Sequence, residues 1–343
     1  MLRVLIVIAL LVGCATQEKS STNLLVERNG LYYEVLSEVP FSGELFLLYP
    51  SGQKKIRSNY VAGKKEGLAE QWHKNGQLYR REMFSGGKAD GLAKVWRVSG
   101  QLRFAIEYID GKKEGIVRAW RENGRLESRE NYSKDKRDGL SEYFHENGQR
   151  ARCEEFVNGK KFLEEFWYED GQLNARINYI NGKKEGPESF WYEGGQLAER
   201  TNYANGKRDG LERRWYENGQ LWSRSNYADD KLQGLKEVFY EGGQLWMRWT
   251  SVNNKKSGLF ERWYENGQLA GRISYVDDKG EGLAEAWHEN GQLYRRENYS
   301  NGTNEGLHES WNENGVKDMS GCYKDGEVVD ESECAESGYA STP

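Results

Sequence analysis

Apolar and aromatic positions recur along this chain with a period of 24 residues. The frame is Gly-Leu-x-x-x-Trp-Tyr-Glu-Asn-Gly-Gln-Leu, as at residues 210–221, and its opening position occurs twelve times between residues 43 and 306. Nine of the 12 tryptophans occupy the Trp215 position of such a unit. A fixed period of this length is typical of repeat proteins. The pattern therefore predicts one repeat array over residues 43–329.

Each unit is predicted to form a β-hairpin. The loop reads Glu-Asn-Gly, Glu-Asp-Gly or Glu-Gly-Gly in many units, and Pro50-Ser51-Gly52 in the first. Proline at the first loop position and glycine at the third favour a type I turn followed by a left-handed glycine. Such a loop places Trp215 opposite Leu221 on the returning strand.

Alternation of side chains along a strand predicts an apolar face and a polar face. The expected apolar face carries Leu211, Trp215, Leu221 and Tyr227. The expected polar face carries Tyr216, Gln220, Trp222, Arg224 and Asn226. A flat sheet would expose the tryptophan stripe, so the array must twist, coil over the stripe or dimerise through it. The predicted fold class is all-β, an elongated array of about twelve hairpin repeats forming a twisted meander or solenoid.

The repeats resemble a known family. Residues 203–210, Tyr-x-Asn-Gly-Lys-Arg-Asp-Gly, resemble the core of the MORN repeat, and the Trp-Tyr-Glu-Asn-Gly-Gln-Leu half is similar to the bacterial MORN-variant repeat. That variant is common in exported proteins and in proteins labelled as antitoxins. The resemblance covers residues 43–329 and implies an all-β array used for interaction rather than catalysis. Residues 31–43 resemble the strand that caps such arrays.

The N-terminus is predicted to be an export signal with a lipid attachment site. Arg3 precedes an apolar stretch, Val4 to Val12, which is shorter than the roughly 20 residues that span a bilayer. The sequence Leu-Val-Gly-Cys at 11–14 resembles the bacterial lipobox, which implies that Cys14 is lipidated after cleavage. A plain secretory peptide is the alternative. In a Gram-negative cell, Ala15 after the cysteine favours the outer membrane.

These signals divide the chain into five segments. They are the signal peptide 1–13, a polar tether 14–30, a cap strand 31–42, the repeat array 43–329 and a polar C-terminal tail 330–343. One irregularity interrupts the array, because the unit opening at Gly139 is one residue short and Phe162 replaces the next opening glycine. We place the deletion in the turn at residues 158–161 and expect a local kink there.

Composition and charge limit the chemistry. A net charge of −5 argues against a nucleic-acid partner, and an aromatic content of 13% argues against disorder. His73, His145 and His288 occupy the Tyr216 position in dispersed units, and His308 stands alone. No nucleophile lies in a catalytic motif. We therefore expect no enzymatic activity, no catalytic or metal site and no cofactor.

Three cysteines remain after Cys14. Cys322 and Cys334 are spaced to close a loop near the C-terminus, and a disulfide there would contribute ~3 kcal/mol in an oxidising compartment. The spacing alone leaves open whether this bond forms. Cys153 takes a position that carries arginine in other units, so we expect it at the surface.

The candidate binding patch lies on the expected polar face of two neighbouring units. Trp222 and Trp246 are the tryptophans of that face, and tryptophan and arginine are favoured binding anchors. The patch comprises Tyr216, Trp222, Arg224, Tyr240, Trp246 and Arg248. The alternative is that these aromatic rings shield strand edges or pack on arginine stems.

Three functions fit these features. The leading hypothesis is a lipid-anchored, non-enzymatic scaffold that presents an extended surface to a protein or cell-envelope polymer. The second is an antitoxin or immunity protein that masks a toxin, which the label of the similar family indicates. The third is a cell-wall carbohydrate-binding module, because aromatic hairpins ending in Asn-Gly also resemble choline- or glucan-binding repeats.

Overall fold

The computed structural model describes residues 25–336, and nearly all of its regular structure is antiparallel β-strand. Contacts divide the chain into two compact units. The first contains the described residues up to Phe162 together with Glu169–Gly171, and the second contains Leu163–Tyr168 and the described residues from Gln172. Among the described residues, no helix has the length and apolar character that a membrane crossing requires. The expected all-β array of hairpin repeats is confirmed.

The strands of the first unit pair with their chain neighbours. In order they are β1 (Leu25–Arg28), β2 (Leu31–Glu34), β3 (Gly43–Leu48), β4 (Lys54–Val61), β5 (Lys64–Trp72), β6 (Leu78–Ser85), β7 (Lys88–Ala89), β8 (Gly91–Trp96), β9 (Leu102–Ile109), β10 (Lys112–Lys113), β11 (Gly115–Trp120), β12 (Leu126–Ser133), β13 (Lys136–Phe144) and β14 (Arg150–Val157). Strand β15 (Lys160–Trp167) begins in this unit and ends in the second.

The second unit continues the same pattern. Its strands are β16 (Leu173–Ile180), β17 (Lys183–Lys184), β18 (Gly186–Trp191), β19 (Leu197–Ala204), β20 (Lys207–Trp215), β21 (Leu221–Ala228), β22 (Lys231–Leu232), β23 (Gly234–Phe239), β24 (Leu245–Val252), β25 (Lys255–Lys256), β26 (Gly258–Trp263), β27 (Leu269–Val276), β28 (Lys279–Trp287), β29 (Leu293–Ser300), β30 (Thr303–Asn304), β31 (Gly306–Trp311), β32 (Lys317–Lys324) and β33 (Glu327–Val329). A short helix, α1, follows at Glu331–Glu336.

The hairpin of β20 and β21 shows the geometry that recurs in both units. Trp215 pairs with Leu221, and the Tyr216 N–H donates to the Gln220 carbonyl at the base of the loop. Gly219 closes this loop with a φ of 84°, in the left-handed region. The expected three-residue loop ending in a left-handed glycine is therefore present, and so is the opposition of tryptophan and leucine.

A second turn leads from each hairpin to the next. Asn205 and Gly206 have φ angles of 53° and 88°, as the two central residues of a type I′ turn require. The register of the adjoining strands then shifts between Thr201 and Tyr203, which marks a bulge. Gly210 lies opposite this shift with a φ of 97°, which glycine adopts without strain. This bulge explains why a glycine opens most units.

The short unit at Gly139 lacks the bulge rather than part of the turn. Asn158 and Gly159 keep left-handed φ angles of 51° and 83°. Phe162 stands where the opening glycine is expected, yet it lies within β15 without a positive φ. The missing residue is therefore the bulge residue. Our placement of the deletion in the turn at 158–161 is wrong.

The two faces of the sheet do not divide as predicted. Trp222 is an extra residue in its strand, because Arg214 pairs with Ser223 while Trp215 pairs with Leu221. One extra residue reverses the alternation that follows it. One face, which we call the outer face, therefore carries tryptophans, arginines and the exposed leucines that follow the opening glycines. The opposite face, which we call the inner face, carries Glu212, Ser223, Ser225 and Tyr227, all buried. The grouping of Tyr227 with Leu211, Trp215 and Leu221 is wrong.

The inner face is ionic rather than apolar around this hairpin. The Glu212 side chain is 3% exposed and its carboxylate oxygens lie 3.6 Å from Arg208 and 3.5 Å from Arg214. The Arg208 guanidinium also lies 4.0 Å from the centre of the Tyr227 ring. A buried carboxylate is tolerated only when it is paired, so these cations hold the face together.

The array has a cap at its start. The Tyr32 N–H donates to the Gly63 carbonyl over 2.8 Å, and Phe41, Leu45 and Tyr60 form a small apolar core beneath it. Of the cap strand expected at 31–42, residues 31–34 form β2. Strand β1 adds residues 25–28, which we expected in the polar tether.

The C-terminal segment is tied to the last repeat. A disulfide joins Cys322 to Cys334, with Cα atoms 5.9 Å apart, and Cys334 lies in α1. Residues 331–336 of the expected polar tail are thus helical. Cys153 is 3% exposed, so the expectation of a surface thiol is wrong. Cys14, the expected lipid-attachment residue, and the signal peptide lie outside the described residues.

Candidate functional site

A row of tyrosines runs beside the hairpin loops of the second unit. Their hydroxyl groups donate to backbone carbonyls 23 residues further along the chain, over 2.7–2.9 Å. This tyrosine row consists of Tyr168, Tyr192, Tyr216, Tyr240 and Tyr264. Burial raises the pKa of Tyr216 and of Tyr240, so both hydroxyls keep the proton that they donate. Each member therefore fastens its repeat to the next one.

Two members of the tyrosine row contact an exposed tryptophan. The ring centres of Tyr216 and Trp222 lie 6.2 Å apart, and those of Tyr240 and Trp246 lie 5.8 Å apart. Trp222 and Trp246 are each 39% exposed, at a position where most other units have a small or polar residue. The structure brings these four residues of the expected patch to the outer face of two consecutive repeats. We call them the aromatic patch.

The two arginines of the expected patch are engaged within the fold. Arg224 Nε donates to Glu237, and Arg248 Nε donates to Glu261 over 2.6 Å. Each pair joins one repeat to the next, and the Arg248 guanidinium also lies 5.2 Å from the centre of the Trp263 ring. A ligand would compete with these bonds for either guanidinium. The site therefore offers aromatic rings rather than free cations.

The histidines take structural places. His73 and His288 occupy the tyrosine position, with Nε2 atoms 3.1 Å and 2.9 Å from the carbonyls of Trp96 and Trp311. His308 is buried on the inner face, and burial lowers its pKa. Over residues 25–336 no group of histidine, cysteine or acidic side chains is arranged to hold a metal ion.

Sequence reasoning missed the bonds that the tyrosine row makes between repeats. In the first of the two compact units, Arg97 and Arg121 occupy the same repeat position and also donate to carbonyls 23 residues away. A long side chain with a donor is thus what this position requires. The signal was visible in the sequence as an exchange of tyrosine for histidine or arginine at one repeat position.

Comparison with known families agrees with these hairpins. The family described as "MORN repeat variant" matches seven segments, at residues 65–85, 137–158, 163–181, 184–205, 208–229, 256–277 and 280–301. Hairpins of the same kind also occur where no segment matches, as in β8–β9 and β23–β24. A search of curated proteins finds no match.

Solved structures give only remote similarity. A chain in "Crystal Structure of TcdB2-TccC3" is 11% identical with a TM-score of 0.16, over 79% of this chain and 21% of that chain. A chain in "Crystal Structure of TcdB2-TccC3-Cdc42" is 9% identical with a TM-score of 0.13, over 82% and 20%. This chain thus spans about a fifth of the length of those chains. The seven matched segments and the recurring hairpins together identify the chain as a MORN-repeat protein.

Proposed function

We propose that this protein is an exported, lipid-anchored scaffold without enzymatic activity, which binds a protein or polymer of the cell envelope through the aromatic patch. The observation that carries the proposal is the exposure of Trp222 and Trp246, 39% each, on tyrosines whose hydroxyls are fixed to the next repeat. Rings held in place lose little conformational entropy when they bind a partner. Exposed tryptophan and tyrosine are the side chains most often found at the centre of interfaces.

The lipid anchor is proposed on the lipobox-like sequence that ends at Cys14. Two or three acyl chains would hold the protein stably at a membrane, since each buried CH₂ contributes ~0.8 kcal/mol. Cells grown with labelled palmitate should incorporate the label into the wild-type protein but not into Cys14→Ala. In a Gram-negative host, the labelled protein should fractionate with the outer membrane. Label in the variant, or wild-type protein recovered only from the soluble fraction, would contradict the anchor.

The aromatic patch is tested by a double substitution. Trp222→Ala with Trp246→Ala should lose the partner that wild-type protein captures from solubilised envelopes. The matched control is Leu235→Ala with Leu259→Ala, which truncates two exposed apolar residues, 48% and 45% exposed, on the same face of neighbouring repeats. The control should retain the partner. Equal capture by both double variants would refute the role of the patch.

The chemical class of the partner follows from the same experiment. Envelopes digested with protease before capture retain polysaccharides but lose proteins. Retained binding to the digested material would identify a polymer partner, and lost binding would identify a protein. Wild-type protein that captures neither would contradict the scaffold proposal itself.

A further inference from the structure

The inner face of the second unit contains a cleft with an arginine at each end. Four neighbouring strands align Arg262, Gly271, Ala286 and Arg295 in one row of pairs. Strands lie ~4.8 Å apart, so three spacings separate the two arginine backbones by roughly 14 Å. The two smallest side-chain types form the floor between them. A cavity of about 210 Å³ lies above this floor.

The walls of the cleft combine apolar surface with two buried acids, Glu285 and Glu297. Glu285 is paired with Arg272 and Arg296. Phe260, Ile273 and Tyr299 line the cleft together with the floor.

Glu297 is 6% exposed, forms an ion pair with Arg295 and accepts a hydrogen bond of 2.8 Å from the Tyr299 hydroxyl. Oε2 accepts this bond, whereas the buried Oε1 has the ion pair with Arg295 but no hydrogen-bond partner among the described residues. Glu297 marks the end of the cleft where Arg295 lies.

An earlier part of the array contains the equivalent of this cleft with larger side chains on its floor, and we call it the filled copy. Residues 67–84 match residues 282–299 closely, and the pair Arg80–Glu82 corresponds to Arg295–Glu297. The row that corresponds to the cleft is Leu47, Ile56, Gln71 and Arg80. Isoleucine and glutamine thus stand where the cleft has Gly271 and Ala286. The difference lies in the side chains and not in the strand pairing.

A third side chain is absent beside the cleft. In the filled copy, the Lys65 ammonium lies 5.0 Å from the centre of the Phe84 ring. Gly280 takes the Lys65 position, where a Cβ atom would lie 2.9 Å from Ile273 Cδ1 and 3.5 Å from Tyr299. The Ile273 side chain therefore occupies the space beside Tyr299 that a larger residue at position 280 would need. The opening itself follows from the two small residues of the floor, Gly271 and Ala286.

The charges of the cleft favour a monoanion. Glu297 balances Arg295, whereas Arg262 forms no ion pair with any carboxylate among the described residues. Arg262 leans over the floor, since its Nε lies 3.3 Å from the place that a Cβ of Gly271 would take. A dianion such as phosphate would be repelled by Glu297. A single carboxylate can accept the guanidinium hydrogen bonds of Arg262 without that penalty.

We propose that this cleft binds an organic carboxylate with an aromatic or aliphatic body. The carboxylate contacts Arg262, and the body lies over Gly271 and Ala286 against Ile273 and Tyr299. This site is separate from the aromatic patch on the outer face, and it needs neither the lipid anchor nor an envelope partner. Its failure would therefore leave the scaffold proposal intact.

The test uses the full chain with phenylacetate as the probe and phenylacetamide as its neutral counterpart. Calorimetry and backbone NMR shifts should report binding of phenylacetate to the strands β26–β29, and little binding of phenylacetamide. Arg262→Met should weaken binding roughly tenfold, since it removes charge-assisted hydrogen bonds. Gly271→Ile, which copies Ile56 of the filled row, should abolish binding by occupying the floor.

Arg213→Met is the matched control, because it removes an exposed arginine of the outer face and should leave affinity unchanged. Circular dichroism and thermal unfolding establish that each variant is folded. Undetectable phenylacetate binding to wild type, equal affinity for the amide, or wild-type affinity in folded Gly271→Ile would each overturn the proposal. Because Arg262 is exposed, its substitution keeps the test valid where the glycine variant is unstable.

Discussion

Individual side chains connect the repeats of this protein in addition to the strand ladders. The donor at the Tyr216 position reaches the backbone of the following repeat, whether it is a phenol, an imidazole or a guanidinium. The bond supplies a side-chain donor to a backbone carbonyl of the next repeat. Substitutions at this position should therefore weaken the junction between two repeats rather than the hairpin that carries them.

Tyr216→Phe tests that junction. The variant keeps the ring against Trp222 but leaves the Phe239 carbonyl without its 2.9 Å hydrogen bond. The free energy of unfolding should therefore fall by about 1 kcal/mol. Tyr294→Phe is the control, since that tyrosine is 45% exposed and contacts His288 through its ring. Urea denaturation measures both. Equal stability of the two variants would show that the hydroxyl bond contributes nothing.

His308 should make the last repeat sensitive to acid. It is 2% exposed between Tyr299 and Tyr323, with Glu297 Oε1 3.8 Å from Nδ1 and Arg295 nearby. Burial lowers its pKa from the usual 6.5 and outweighs an opposing hydrogen bond with the Asn298 backbone, while Arg295 adds a small lowering, so the fold favours the neutral ring. That contribution is complete above pH 6.5 and is lost as the pH falls below it, because the unfolded chain binds the proton first.

The measurement for His308 is hydrogen exchange of residues 306–324 between pH 7.5 and 5, corrected for intrinsic rates. Protection should fall with acidification in the wild type and change much less in His308→Gln. His288→Gln leaves the buried ring of His308 in place and should behave as the wild type. A pH dependence that survives in His308→Gln would assign it to another group.

At the scale of strands and hairpins, the sequence predicts period, loop type and the Trp215–Leu221 opposition, because each depends on local residues. It does not predict which face is buried, because one extra residue, Trp222, reverses the alternation of the returning strand. No residue type marks the bulge at the Trp222 position, since tryptophan, alanine, arginine and aspartate all occur there. The buried glutamates of the inner face follow from that reversal and were missed with it.

Ion pairs that cross strands should carry much of the stability of these elements. Glu142 on β13 is 1% exposed and accepts hydrogen bonds from Arg129 on β12 and Arg150 on β14. Burial alone would raise the pKa of Glu142, but the two guanidinium groups outweigh it and hold the pKa below its usual 4.5. The carboxylate thus stabilises the fold above pH 4.5, and this contribution is lost as the pH falls below that value.

Glu142→Gln should lower the free energy of unfolding by about 1–3 kcal/mol at pH 7, since both arginines lose a charged acceptor. Glu146→Gln, in the exposed loop of the same hairpin, should change it little. The gap between Glu142→Gln and wild type should narrow as the pH falls below 4.5, because the unfolded wild-type chain then takes up a proton that the native carboxylate resists. A gap that is unchanged between pH 7 and pH 3 would attribute the loss to packing.

At the scale of the whole chain, the candidate site was predicted in part. Trp222 and Trp246 were identified because they deviate from the repeat consensus, and Tyr216 and Tyr240 because they neighbour these tryptophans. The hydrogen bonds of Arg224 with Glu237 and of Arg248 with Glu261 were not predicted. Each pair joins residues 13 positions apart in different hairpins. The cleft between Arg262 and Arg295 was missed for the same reason. Its residues become neighbours only when the register of four strands is known.

A repeat array should also respond locally to damage, because each repeat contacts mainly its neighbours. Cys322→Ser removes the disulfide that closes a 12-residue loop onto α1, which should cost ~3 kcal/mol. Hydrogen exchange should lose protection in β31–β33 while β20 and β21 keep theirs. Reduction of the wild type should reproduce this result and add nothing to the variant. A uniform loss of protection through both regions would instead mean that the second unit unfolds as one cooperative body.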